Sequence, residues 1–178
     1  KDDTLVESMA EVLTDRTRTA EERGGAAIGL YMVVDEEGVH ELIEELYEEG
    51  GVARAKALEA MWRSLWKPFA KYFQHLGDAD QEIVRHSMRG VGVFGLKEYC
   101  DKLEGFFEND DLREDALFAY AMAMPGETSR GRVKGMLRKI DALAELSPDE
   151  TQTVMFALDE RLRIKGLKPV FEGEDYSM

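Results

Sequence analysis

The sequence predicts an all-α protein, a solenoid of about five stacked helix pairs. Three observations carry this expectation. Apolar residues recur at helical spacing along most of the chain. No segment alternates apolar and polar residues with the β-branched enrichment of a strand. One short pattern built around an arginine returns four times. The 178 residues suit a single domain, large enough to bury a core without staples.

The helical elements can be taken in order. Leu5, Met9, Val12 and Leu13 share one face, as do Val39, Leu42, Ile43 and Leu46. Tyr99, Cys100 and Leu103 form a third set, and Val133, Met136, Leu137 and Ile140 a fourth. Each follows all or part of the amphipathic i, i+3, i+4, i+7 rule. Turn signals separate these runs at Gly50-Gly51, Gly77-Asp78, Asn109-Asp110-Asp111, Pro125-Gly126 and Ser147-Pro148-Asp149. The last opens a helix, with Ser147 as N-cap, Pro148 at the first helical position and Glu150 closing a capping box. Links this short join antiparallel helices, whose apolar faces need neighbours for burial.

The repeat is centred on Arg23, Arg54, Arg85 and Arg113, which are 31, 31 and 28 residues apart. Three residues after each stands a small or apolar side chain: Ala26, Ala57, Met88 and Ala116. A fifth helix, TQTVMFALDERL, follows without the arginine and has Thr153 near its place. One unit is therefore a helix pair of about 30 residues that cannot bury its apolar face alone, so stacking supplies the core.

This pattern resembles the HEAT-repeat family, an armadillo-like architecture, and especially its short form seen in phycobilin-lyase-like repeats. The residues that carry the resemblance are the pairs Val84-Arg85, Ala53-Arg54 and Leu112-Arg113, with turn residues Asp15, Asp78 or Asp80, and Asn109 or Asp110. The second repeat departs, with Glu48-Glu49-Gly50-Gly51 in place of the Asp turn. The resemblance implies a right-handed α-solenoid over residues 1–170, with repeats near 2–34, 36–66, 68–95, 96–124 and 130–165. An acidic tail, 171–178, follows. It also implies a structural ladder in which most of Arg23, Arg54, Arg85 and Arg113 touch an Asp, an Asn or a backbone carbonyl of an adjoining turn.

Charge narrows the partners. The net charge of −14 is uneven: residues 1–50 carry −11, residues 51–100 carry +3, and the rest carry −6. A chain this acidic is a poor general binder of nucleic acid or anionic membrane. In the family the arginine-bearing helices line a concave face. Positions two, five, eight and nine after each arginine then form a groove row. It includes Lys56, Ser87, Asp115, Glu59, Gly90, Phe118, Ala121 and Met122. A binding surface is expected at Tyr31, Trp62, Arg63, Trp66, His86, Arg89 and Phe94, with the two tryptophans on one helical face in the basic middle of the chain. The partner it suits is an acidic and apolar protein or peptide segment.

Catalytic signals are sparse. His40, His75 and His86 have no metal-site spacing, and no P-loop or dinucleotide fingerprint is present. His40-Glu41 is similar to the His-Glu pairs of HEAT-type di-iron hydroxylases but occurs once. Cys100 falls on the apolar face of its helix and reads as an inert buried thiol. Gly90-Val91-Gly92 reads as a place of close helix approach. The expected function is non-enzymatic: a scaffold with no cofactor and no metal. The alternative is an enzyme or enzyme subunit on the same fold, either a lyase-type chromophore-handling subunit or a DNA glycosylase-like protein using Trp62, Trp66 and Asp115. The single cysteine and the absence of an apolar run or leader pattern point to a reducing compartment, the cytoplasm.

Overall fold

The computed structural model describes residues 3–36 and 38–172. Among them are nine α-helices and three 3₁₀ helices, and no strand. They fall into two compact units, Lys1–Gly90 and Val91–Met178.

The first unit contains α1 (Asp3–Thr14), α2 (Ala20–Gly29), η1 (Tyr31–Val33), α3 (Val39–Glu48), α4 (Gly51–Ser64), η2 (Lys67–Tyr72) and most of α5 (Gln81–Val93). Here α1 packs on α2, α3 packs on α4, and α2 lies along α4. The second unit contains η3 (Lys97–Tyr99), α6 (Cys100–Glu104), α7 (Arg113–Ala123), α8 (Val133–Ala144) and α9 (Pro148–Ile164). Its pattern is similar: α6 packs on α7, α8 packs on α9, and α7 lies along α9.

Local chemistry sets the helix starts. Thr19 and Ser147 both close full capping boxes, with Glu22 and Glu150 returning the bond, so the first turns of α2 and α9 have their free N–H groups satisfied. Gly50 and Gly51 turn the chain from α3 into α4 at φ of 74° and 55°, a region side chains disfavour. Beneath these helices lie Leu13, Leu30, Ile43, Leu58, Met61, Phe69 and Phe73 in the first unit. In the second lie Leu103, Leu117, Ile140, Val154, Leu158 and Phe171.

Two expected helix pairs are irregular. The first member of the third pair is the 3₁₀ segment η2, opened by Pro68 and anchored by fully buried Phe69. The first member of the fourth pair is η3 running into the five-residue α6. The expected tail also starts differently. Phe171 is buried, and the Asp159 carboxylate accepts the backbone N–H groups of Val170, Phe171 and Glu172 at 2.8, 3.1 and 2.8 Å. Residues 173–178 of that tail lie outside the described residues.

The arginines differ among themselves. Arg23 is buried, donates to the Leu13 carbonyl at 2.8 Å and holds both oxygens of Glu49 at 2.8 and 2.5 Å. Arg113 donates to the carbonyls of Phe107 and Ala144 at 2.9 and 2.8 Å and holds both oxygens of Glu150 at 2.6 and 3.1 Å. Arg54 donates to the Tyr47 carbonyl at 3.1 Å, with its guanidinium 4.6 Å from the Tyr47 ring centre. Arg85 bonds Glu82 one turn back on its own helix at 2.6 Å. Arg23, Arg54 and Arg113 each reach a backbone carbonyl, and Arg23, Arg85 and Arg113 each bond a glutamate. Asp15, Asp78, Asp80 and Asn109 accept backbone N–H groups two residues on. Where the fifth helix lacks the arginine, Thr153 donates to Glu114 at 3.0 Å.

Glycines mark the close approaches. A Cβ on Gly92 would come within 3.2 Å of Ala119 and Met122, so the end of α5 lies tight against α7, as the Gly-Val-Gly reading expects. A Cβ on Gly90 would fall 2.0 Å from the Phe73 ring, so this glycine makes room for an aromatic side chain instead of a helix.

Replacing Arg23 or Arg113 by Met should cost about 3 kcal/mol in urea unfolding, because each change strands carbonyls and a glutamate. The guanidinium bonds hold the Glu49 and Glu150 carboxyls below their ordinary value of 4.5. Their contribution should therefore be complete above about pH 4.5 and lost as pH falls through the lowered folded values. A pH series of unfolding midpoints in which both variants track the parent into acid would contradict this. Gly90→Ala should cost about 1–3 kcal/mol by overpacking against Phe73, read from the same curves.

Candidate functional site

The expected surface residues divide into several groups. On α4, Lys56, Glu59, Trp62 and Arg63 are spaced so that they share a face. The Ala-rich opposite side of α4, with Ala53, Ala57, Ala60 and Met61, is buried. His86 and Arg89 come from one face of α5. These two sets of side chains meet within the first unit.

At the centre, the Trp62 Nε1–H donates to His86 Nδ1 at 3.1 Å, and the rings stand 6.4 Å apart at 23°. That bond requires Nδ1 to be unprotonated, so the neutral ring carries its proton on Nε2. His86 Nε2 faces Glu59 Oε1 at 3.8 Å. The other Glu59 oxygen accepts from Arg63 Nε and NH2 at 3.1 and 3.0 Å. Both guanidinium carbons lie near the indole centre, Arg63 at 4.9 Å and Arg89 at 5.2 Å, within cation–π range. Burial pushes the His86 pKa down first of all, Glu59 and Glu82 push it up, and Lys56 and Arg89 push it down. The Lys56 stem crosses Gly24 of α2, whose Cβ would fall 2.5 Å from Lys56 Cγ. Two guanidiniums thus flank a half-exposed indole, with the Glu59 carboxylate bonded to one of them.

Trp66 is a correction. It does not share a helical face with Trp62, because α4 stops at Ser64 and Leu65 takes a left-handed conformation at φ 57°. Trp66 follows in extended backbone and packs on His40 at 5.0 Å and Phe69 at 4.9 Å, away from the His86 cluster's partners. Tyr31 lies on η1 with partial exposure, and no aromatic pair joins it to Trp62 among the described residues. Phe94 is half-buried and belongs to the second unit, as does Asp115.

The expected groove row is also interrupted. Ser87, Gly90, Ala121, Met122 and Phe118 are buried, because α5 and α7 turn these positions into their cores. Glu59 was legible as a row member, but its place between Arg63 and His86 depends on α5. Arg161 gave no signal beyond its helix. It is buried and donates to Thr128 Oγ1, Ala121 O and Gly126 O at 2.8, 3.1 and 2.8 Å.

Other reactive groups are structural in setting. Cys100 is buried, and burial lifts its thiol to about 11 against the pull of Arg161. His75 meets the Tyr47 hydroxyl, Tyr72 donates to Glu44, and Arg54 and Lys71 lie by these rings. His40 lies 3.9 Å from the adjacent Glu41 and packs on Trp66. Among the described residues, no group of three or more His, Cys, Asp or Glu could hold a metal ion. No described helix is long and apolar enough to cross a membrane. No family model, curated protein or solved structure matches the chain.

His86 should titrate below its ordinary value of 6.5, because burial disfavours its charged form, and protonating Nδ1 would break the indole bond. Trp62 emission in a Trp66→Phe background should change in that same step. The neutral ring's stabilisation should be full above pH 6.5 and decline as pH falls through the lowered value. An imidazole titration at or above 6.5 by NMR would refute the arrangement. Native Cys100 should react with a thiol reagent at pH 8 far more slowly than unfolded chain, with rapid native labelling the contrary result.

Proposed function

We propose that the chain is a non-enzymatic HEAT-type helical-repeat scaffold that binds a protein or peptide segment bearing acidic and apolar side chains. The observation that carries this reading is the half-exposed Trp62 indole set beside Arg63 and Arg89 in the one net-positive third of an acidic chain. Trp and Arg are the side chains that most often anchor protein interfaces. An apolar group would cover the indole, and carboxylates would compete with Glu59 for Arg63 and reach Arg89 and Lys56, fixing orientation. The solenoid part of the reading is supported by hairpins that lie side by side within each unit, α2 along α4 and α7 along α9. A reducing, cytoplasmic setting is consistent with a single buried thiol.

A labelled helical peptide with leucine and glutamate on adjacent faces tests this by fluorescence anisotropy. The Trp62→Ala/Arg63→Ala variant should bind at least about tenfold more weakly, with unchanged helical circular dichroism, and salt should weaken the parent. In the Trp66→Phe background, peptide should shield Trp62 from an aqueous quencher. Equal affinity of parent and double variant, or unaltered quenching, would overturn the proposal.

A further inference from the structure

We propose that the second unit holds a separate binding site, a cleft between α7 and α9 that takes an arginine side chain presented by a basic, apolar-flanked peptide. The cleft encloses about 360 Å³ and is lined by Glu114 and Phe118 from α7 and by Gln152, Thr153 and Phe156 from α9. It lies at the lower end of the range for ligand sites.

Its two ends differ in chemistry. Phe118 is 8% exposed and forms the floor, whereas Phe156 is 47% exposed and forms an open lip. Their rings stand 6.1 Å apart at 40°, leaving an aromatic wall that water covers only on its outer side. At the other end the Glu114 carboxylate takes a hydrogen bond from Thr153 at 3.0 Å, and Thr153 also lies 3.3 Å from the Asp149 carbonyl. Among the described residues no Lys, Arg or His forms an ion pair with Glu114. The neighbouring cation, Arg113, is committed to Glu150 and two carbonyls. Glu114 lies in the first turn of α7.

A carboxylate without a cation beside two phenyl rings selects a particular occupant. A metal ion needs several oxygen ligands, and the cleft offers one carboxylate. An arginine fits both ends: its aliphatic stem covers Phe156, and its planar guanidinium stacks on a ring while donating to Glu114. Because Phe156 stands at the lip, the side chain enters from the surface, carried by a peptide whose flanking apolar residues rest on that ring. The site is independent of the Trp62 face and would stand if that proposal failed.

The test uses the full chain and a fluorescein-labelled leucine–arginine–leucine peptide, with citrulline in place of arginine as the uncharged control. Glu114→Gln and Phe156→Ala, both at exposed positions, should each weaken anisotropy-measured binding by at least about tenfold. The citrulline peptide should bind no better than the variants. Glu7→Gln and Trp62→Ala/Arg63→Ala should leave the affinity unchanged. Free ethylguanidinium should compete only at far higher concentration than the peptide. Equal binding by Glu114→Gln, or equal loss in Glu7→Gln, would reduce the effect to diffuse attraction by a chain of net charge −14 and overturn the proposal. Full competition by ethylguanidinium at peptide concentrations would also overturn it, since no peptide is then needed.

Discussion

A helix ends with carbonyls that have no donor of their own, and in each unit arginines answer that need. Arg23 reaches the Leu13 carbonyl near the end of α1 and the Glu49 side chain just past the end of α3. Arg113 reaches the Phe107 carbonyl past α6, the Ala144 carbonyl at the end of α8 and Glu150 in the first turn of α9. In both cases an arginine at the start of a second helix ties together the ends of successive first helices. A planar fork with five donors suits this role, and a lysine would satisfy only part of it. Arg23 and Arg113 thus each link neighbouring hairpins within a unit.

Once the hairpins are held this way, small residues decide how closely they lie. The buried side of α4 is a run of alanines, and α7 buries Ala116, Ala119, Ala121 and Ala123. Gly24 makes room for the Lys56 stem between α2 and α4. With its small side turned inward, α4 has only its large polar side left to present. That side carries Glu59, Trp62 and Arg63, so the candidate surface is a by-product of where the alanines are buried. The same logic in the second unit leaves Phe156 at the surface beside α7.

The two candidate surfaces have opposite character. In the first unit, Arg63 and Arg89 border an indole, and the local carboxylate Glu59 is already engaged by Arg63. In the second, Glu114 borders a phenyl pair, while the local guanidinium of Arg113 is engaged elsewhere. Each sets a charged side chain beside an aromatic one, a combination common at protein interfaces. Local charge at these two places thus differs in sign although the chain as a whole is acidic.

Much was legible from residues close in sequence. Helix type, the turns at Gly50-Gly51 and Asn109-Asp111, the Ser147 capping box, the burial of Cys100 and the close approach at Gly92 all follow from patterns a few residues long. Such patterns act through local dihedrals and periodic burial, which any compact fold must respect. Pro68 was also a local sign that α4 could not run through Trp66, since helices commonly end shortly before a proline. What the sequence could not decide was which distant groups would meet. Arg23 and Glu49 are 26 residues apart, Trp62 and His86 are 24 apart, and Glu114 and Thr153 are 39 apart. Several acids of equal chemistry compete for each arginine in a chain with 37 of them. Only the packing of whole helices brings one within hydrogen-bond distance and carries the others away, and that choice makes one arginine a clamp and another part of a surface.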